Sequence, residues 1–409
     1  MLRVLLLLPT TSYRTPDLLA AAESLGLAVT VASEEPSTME RLNPSGLLTL
    51  DFTDLPACAD RVASFSAQQP LAAVVGVDER TAVVAAAIGE RLGLPHNPVA
   101  AAAAAGNKAK MRQRLAEAGV TSPRHRLFRA DGDPQAAARE VDYPCVLKPT
   151  FLAASRGVIR ADDAPGFLEA WGRLARILEE PVVAVRGGAA SGEILVEDFV
   201  PGIEVALEGL LCRGELRVLA LFDKPDPLDG PFFEETIYVT PSRLPTNIQE
   251  SCAQATKAAA RALGLTEGPI HAEMRVNESG VFVIEIAARS IGGLCSRTLR
   301  FGTGMSLEEL ILRHALGLGV AAAGLEGAAG VMMIPIPRAG VLEEVLGLAE
   351  ARAVPAIEDV TISAHAGSRL VPLPEGDRYL GFIFSRAATP ERAEAALREA
   401  HARLEFRID

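Results

Sequence analysis

Two glutamates stand inside apolar, strand-like runs on either side of a short turn, and this pairing constrains the chain more than any other feature. The segment Ile270-His-Ala-Glu-Met-Arg-Val-Asn277 leads through Glu278-Ser279-Gly280 into Val281-Phe-Val-Ile-Glu-Ile-Ala287. Alternating β-branched and apolar residues around turn formers specify a hairpin. A three-residue loop with Gly280 in the left-handed position is a common connection. It pairs Asn277 with Val281 and sets Glu273 opposite Glu285. Like charges directly opposite each other destabilise a sheet, and the run around Glu285 is too apolar for a solvated face. A hard cation reverses the sign, because Mg²⁺ takes carboxylate and phosphate oxygens together. Glu273 and Glu285 are therefore expected to hold a metal.

Around this hairpin the chain changes character twice. In the first hundred residues, strand signals at Leu2–Leu8, Ala28–Ala32 and Leu71–Val77 alternate with helix signals at Asp17–Leu25 and Thr81–Leu92. That alternation implies a parallel sheet with right-handed crossovers. Its strand-end loops, Pro9–Arg14 and Gly76–Arg80, then fall where open α/β sheets bind ligands. An Ala-rich stretch from Pro98 to Gly106 and a helix at Lys108–Ala118 lead into an antiparallel α+β region, with strands at Tyr143–Lys148, Ile194–Phe199, Glu204–Leu211 and Glu215–Phe222. The helix Leu307–Ala315 closes that region. The tail carries strands at Gly330–Ile336, Thr361–Ala364 and Tyr379–Ser385 and a last helix from Pro390 to Arg403.

With 409 residues, more than one structural unit is needed. A net charge of -12 without any basic block argues against nucleic acid as a partner, and an aromatic content of 5% argues against a base-stacking surface. Cys58, Cys145, Cys212, Cys252 and Cys295 form no C-x-x-C pair and read as reduced thiols of a cytoplasmic protein. The apolar run Val4–Leu8 is too short to span a membrane and no small-residue cleavage site follows it. No membrane partner is expected.

At this level the chain resembles the ATP-grasp superfamily. Paired acids on adjacent strands, followed by Ala287-Ala288-Arg289 and Gly292-Gly293, look like that superfamily's metal site; the carboxylate–amine ligases of the L-amino-acid ligase type are the most similar. Ala287 stands where that family often has Asn, so two glutamates are left to hold the ion. Other segments follow in the family's order. Asn107-Lys-Ala-Lys-Met-Arg112 resembles the segment whose first lysine, here Lys108, reaches ATP phosphate. Tyr143-Pro-Cys-Val-Leu-Lys148-Pro149 resembles the second lysine strand; a lysine inside an apolar run needs an anionic partner in any case. Ser155, Arg156 and Gly157 resemble the loop over the triphosphate, where backbone N–H groups can cradle phosphate. Ile194-Leu-Val-Glu197-Asp198-Phe199-Val200-Pro201-Gly202-Ile-Glu204 resembles the nucleotide hinge: Glu197 and the backbone of Asp198 and Val200 for the adenine edge, Glu204 for the ribose.

The resemblance implies an ATP-grasp fold and an ADP-forming ligase using ATP and Mg²⁺, or Mn²⁺. Such an enzyme activates a carboxylate as an acyl phosphate and joins it to an amine. Arg289 would hold the acyl phosphate and Lys224 the γ-phosphate; Arg297 and Arg300 are further candidates for a substrate carboxylate. The role of Glu235 stays open. The expected units are 1–106 (N-terminal α/β), 107–190 (small subdomain), 191–320 (large subdomain with the metal hairpin) and 321–409 (a closing lid). A homodimer is a family-based expectation. Two alternatives stay open: an ATP-grasp carboxylase or nucleotide-biosynthesis synthetase, and a non-catalytic ATP-binding regulator.

Overall fold

The computed structural model describes residues 1–302, 304–319, 324–325 and 327–409. Its first unit is a four-stranded parallel sheet ordered Leu47–Thr49, Ala28–Ser33, Arg3–Leu7, Ala73–Gly76. Val4 through Leu7 are wholly buried because both faces are covered, as parallel sheets require. The helix Glu79–Leu92 starts at a capping box between Asp78 and Thr81 and stops at left-handed Gly93. Gly76 permits the tight strand-to-helix turn: a Cβ there would sit 2.4 Å from the Thr81 carbonyl oxygen. Glu79 is thereby fixed in the first helical turn at the carboxyl end of a strand.

A second, antiparallel sheet runs His125–Arg129, Glu193–Asp198, Cys145–Pro149, Ile159–Ala161 and is covered by the helix Ala164–Glu179. The strand at 193–198 thus belongs with the small subdomain, not with the unit expected to start at 191. The helix Lys108–Glu117 goes the other way. Its Met111 and Leu115 are buried with Leu207, Ile270 and Ile286 in the core of the large sheet.

That large sheet has eight strands, in the order Gly280–Ala287, Gly268–Asn277, Ile203–Cys212, Glu215–Lys224, Ile237–Thr240, Ala328–Ile334, Gly381–Ala387, Ile357–Ile362. Side chains alternate between its faces. Val205, Leu207 and Leu211 pack under the helix Thr246–Leu263, while Ala206, Leu210 and Phe222 join Val4, Leu6 and Phe382 in a core shared with the N-terminal unit. The tail, 321–409, is joined to the large sheet by backbone pairing. Three of its six described strands extend the sheet that carries the metal hairpin, through pairing of Ile237–Thr240 with Ala329–Met332, and Arg369–Leu370, Gly340–Leu346 and Glu405–Ile408 form a small sheet of their own. The division expected between 320 and 321 lies outside the described residues. Among the described residues, no helix is long and apolar enough to cross a membrane.

Candidate active site

The hairpin does place Glu273 opposite Glu285, by a different route from the one expected. The turn is two residues, Glu278-Ser279, and closes on Asn277 paired with Gly280. The ladder then runs Val276–Val281, Arg275–Phe282, Met274–Val283, and a bulge at Ile284 restores the Glu273–Glu285 pair. Both carboxylates line one cavity of about 380 Å³, bounded by the three sheets and the loop Asp377–Tyr379.

Glu273 does not stand alone. Glu204, Glu235 and Glu273 bring carboxylate oxygens within 4.8 Å of one another. Lys224 Nζ lies among them, 2.7 Å from Glu204, 2.5 Å from Glu235 and 3.1 Å from Glu273. Lys224 does not line the cavity; its ammonium is buried among the three acids. Burial, with Glu273 beside it, raises the Glu235 carboxyl to about 7 against the pull of Lys224. Burial would raise Glu273 too, but Lys224 and His271 outweigh it and hold that carboxylate well below its ordinary range. His271 Nδ1 is 3.1 Å from wholly buried Glu208, and its Nε2 is 3.5 Å from Glu273. Burial works against the imidazolium, yet Glu208 and Glu273 raise it to about 9.

The two expected phosphate lysines face the cavity. Lys108 begins its helix behind Asn107, whose side chain accepts the Lys110 N–H. Its Nζ donates to the Leu152 carbonyl at 2.8 Å and lies 3.1 Å from Glu285. Lys148 Nζ is 2.6 Å from Glu197. Glu197 also meets Arg112, with Nε 2.7 Å from its other oxygen, an ion pair rather than an aligned hydrogen bond. Arg112 is fully buried and donates to the Ile284 carbonyl at the hairpin bulge. Both oxygens of Glu197 are thus engaged by cations, Arg112 on one and Lys148 on the other. Arg112 went unassigned in the sequence although it closes the Asn107–Arg112 segment; its full burial beside a strand glutamate is a long-range fact.

Burial by itself would raise the Glu197 pKa, but Arg112 and Lys148 prevail and hold it at about 2. A folded value below the ordinary 4.5 means that Glu197 adds stability which is complete above that value and is lost as the pH falls toward about 2. In urea titrations the stability gap between wild type and Glu197→Gln is expected to shrink across that window. A gap that stays constant down to about pH 2.5 would contradict this linkage.

Asp198 and Val200 line the cavity, as does Glu204, which also bonds Arg275 Nε at 2.8 Å. In the phosphate loop Ala154 and Ser155 take positive φ values of 54° and 53°. Ser155 lines the cavity; Arg156 and Gly157 do not. Arg156 turns away to Glu180 at 2.6 Å, and Gly157 is needed where a Cβ would lie 2.9 Å from Leu174. Arg289 does reach the cavity, clasped by Glu79 of the N-terminal unit, with Nε at 2.8 Å and Nη2 at 2.6 Å from one oxygen. Arg297 pairs with Asp17 at 2.9 Å, and neither it nor Arg300 lines the cavity. Cys295 does line it, but burial pushes its thiol up to about 12, so it is no nucleophile.

A small antiparallel sheet and a larger one closing over lysines and paired acids define an ATP-grasp fold. Family models match at residues 141–298 (ATP-grasp domain), 19–96 (ATP-grasp N-terminal domain) and 332–409 (L-amino acid ligase C-terminal domain 2). The chain belongs to the ATP-grasp superfamily and, within it, to the L-amino-acid ligase type. The crystal structure of an L-amino acid ligase from Bacillus licheniformis superposes with a TM-score of 0.80 at 26% identity, covering 100% of this chain and 99% of that one. Alanine–anticapsin ligase of Bacillus subtilis is 29% identical over 238 residues, 54% of this chain and 49% of the relative, so the match spans about half of that ligase. A biotin carboxylase domain from Hydrogenobacter thermophilus, solved with MgADP and bicarbonate, shares the fold at 17% identity and a TM-score of 0.66, covering 99% of this chain and 90% of that one.

Proposed function

We propose that the protein is an ADP-forming ligase that activates the carboxylate of an amino acid with Mg·ATP and couples it to an amine, forming an amide or peptide bond. The observation that carries this reading is the facing pair Glu273–Glu285 in a cavity also lined by Lys108, Lys148 and Arg289. The donor set fits the ion. All the acids offer hard oxygen, the Ala287 side chain offers none, and Glu204, Glu235 and Glu273 bring carboxylate oxygens within 4.8 Å of one another beside Glu285. Mn²⁺ would be accepted by the same oxygens. ATP supplies the phosphoryl group that turns a poor electrophile into an acyl phosphate.

The chain's own residues position and neutralise. Lys108 and Lys148 balance phosphate charge, the amides around Ser155 cover it, and Arg289 offers a forked donor to the activated group. An amine arrives as an ammonium and must lose a proton before it attacks. The unpaired cysteines suit a reducing, cytoplasmic setting. The test is a matrix of amino acid pairs, assayed for phosphate and pyrophosphate. Amine-dependent release of ADP and phosphate is expected. AMP with pyrophosphate would point to adenylate chemistry, and ATP binding without amine-dependent turnover would favour a regulator.

A further inference from the structure

Across three neighbouring strands the sheet register sets opposite charges side by side: Lys224 faces Glu204, and Glu204 faces Arg275. Glu273, two residues before Arg275, points to the same face. Glu235 reaches that face from the loop before Ile237. The Lys224 ammonium therefore meets three carboxylates at once, 2.7 Å from Glu204 Oε1, 2.5 Å from Glu235 Oε1 and 3.1 Å from Glu273 Oε1. An ammonium carries three donors and no acceptor, so each donor has one oxygen. The lysine side chain is 3% exposed, which fixes this arrangement away from water.

The second oxygens of the three acids are engaged unequally. Glu204 Oε2 accepts from Arg275 Nε at 2.8 Å, and Glu235 Oε2 accepts from the Tyr238 hydroxyl at 2.8 Å. On Glu273 the Tyr238 hydroxyl at 3.4 Å and His271 Nε2 at 3.5 Å join Lys224 on the same oxygen, Oε1. None of these groups takes up Oε2 of Glu273. Three carboxylate oxygens within 4.8 Å of one another are also what a hard divalent cation binds. Mg²⁺ sits about 2.0–2.1 Å from its oxygens, so it cannot share the place that Nζ holds.

We propose that Lys224 is a positioning residue: its ammonium fills a latent cation site formed by Glu204, Glu235 and Glu273, and so directs the divalent ion to Glu273 Oε2 and Glu285. The lysine acts as a tethered counter-ion. It balances the acids in the absence of nucleotide and reserves one side of Glu273 for itself. This goes beyond the ligase reading, and it is measured without any substrate.

The experiment follows Mn²⁺ uptake without nucleotide, through loss of the free-ion electron paramagnetic resonance signal, in wild type and in Lys224→Met, which keeps the length and loses the charge. Lys224→Met is expected to take up about one ion per chain over a range in which wild type takes up little. Adding Glu235→Gln to Lys224→Met should abolish that uptake, and adding Glu285→Gln should not. Thermal melts give a second reading, because an ion that binds the folded state stabilises it. Mn²⁺ should raise the Tm of Lys224→Met and leave wild type nearly unmoved. A variant weakened by the lost charge should be rescued by Mn²⁺, and Lys224→Gln, which keeps a neutral donor, repeats both readings in a milder background. Variants that neither take up Mn²⁺ nor gain stability from it would overturn the proposal. So would uptake by Lys224→Met that follows Glu285 and not Glu235, or wild-type uptake that Glu235→Gln abolishes. Each of these outcomes leaves the ligase reading to its own test.

Discussion

Glu285→Ala is expected to lower ATP turnover by about a thousandfold, the loss seen when a preorganised charge is removed from a transition state. Glu285 faces Glu273 across the hairpin and carries Lys108 at 3.1 Å. Its removal therefore takes away an anionic oxygen from the cation site and frees a lysine that was held in place. Neither loss is repairable by the neighbour, because Ala287 brings no oxygen to the same strand. The measurement is ADP release under saturating ATP across a magnesium titration, with Glu285→Asp as the conservative partner. The aspartate variant should keep part of the rate at raised magnesium. An alanine variant that turns over near the wild-type rate at ordinary magnesium would end the metal assignment for this pair.

Arg112→Ala should cost about 3–5 kcal/mol of stability and abolish tight ATP binding as well. The range is that of breaking a buried ion pair from one side. Arg112 is wholly buried, and without it Glu197 keeps only Lys148 as a counter-charge in an apolar sheet. Lys148 would then be drawn deeper onto Glu197 and away from phosphate, and the Ile284 carbonyl would lose its donor. Arg112→Lys should recover only part of this, since an ammonium has no planar fork to serve a carboxylate and a carbonyl at once. Urea unfolding and ATP titration calorimetry on the three proteins decide it. An alanine variant as stable as wild type would show that water, not protein, satisfies Glu197.

The facing glutamates were legible because period-two alternation fixes which side chains share a face. The turn was misread, and the same contact explains both this error and the neglect of Arg112. Glu278-Ser279 forms a tighter turn than expected, the bulge at Ile284 absorbs the extra residue, and the carbonyl that the bulge frees is the one Arg112 occupies. No local pattern around position 112 announces that partner, which lies 172 residues away. Glu79 escaped for a similar reason: its helix start was readable from Asp78 and Thr81, but its clasp on Arg289 joins positions 210 residues apart. Lys224 has partners that its own segment does not announce. A lone lysine between two motifs suggested a phosphate contact; the structure sets it among Glu204 and Glu273 from two strands and Glu235 from the loop before Ile237. Three of the six described tail strands were recognised singly, but nothing in them says which sheet they extend, and Gly340–Leu346, Arg369–Leu370 and Glu405–Ile408 were not recognised.

That shared sheet bears on how relatives of this protein can be recombined. A chimaera that exchanged the tail at residue 320 would have to rebuild backbone pairing along Ile237–Thr240, whose partner strand would come from a foreign sequence. A truncation there would leave the same strand as a bare edge, open to association with other chains. The tail is inherited together with the strand it borders, and crossover points for engineering belong in the loops around Pro201–Gly202 instead, where the small sheet hands over to the large one.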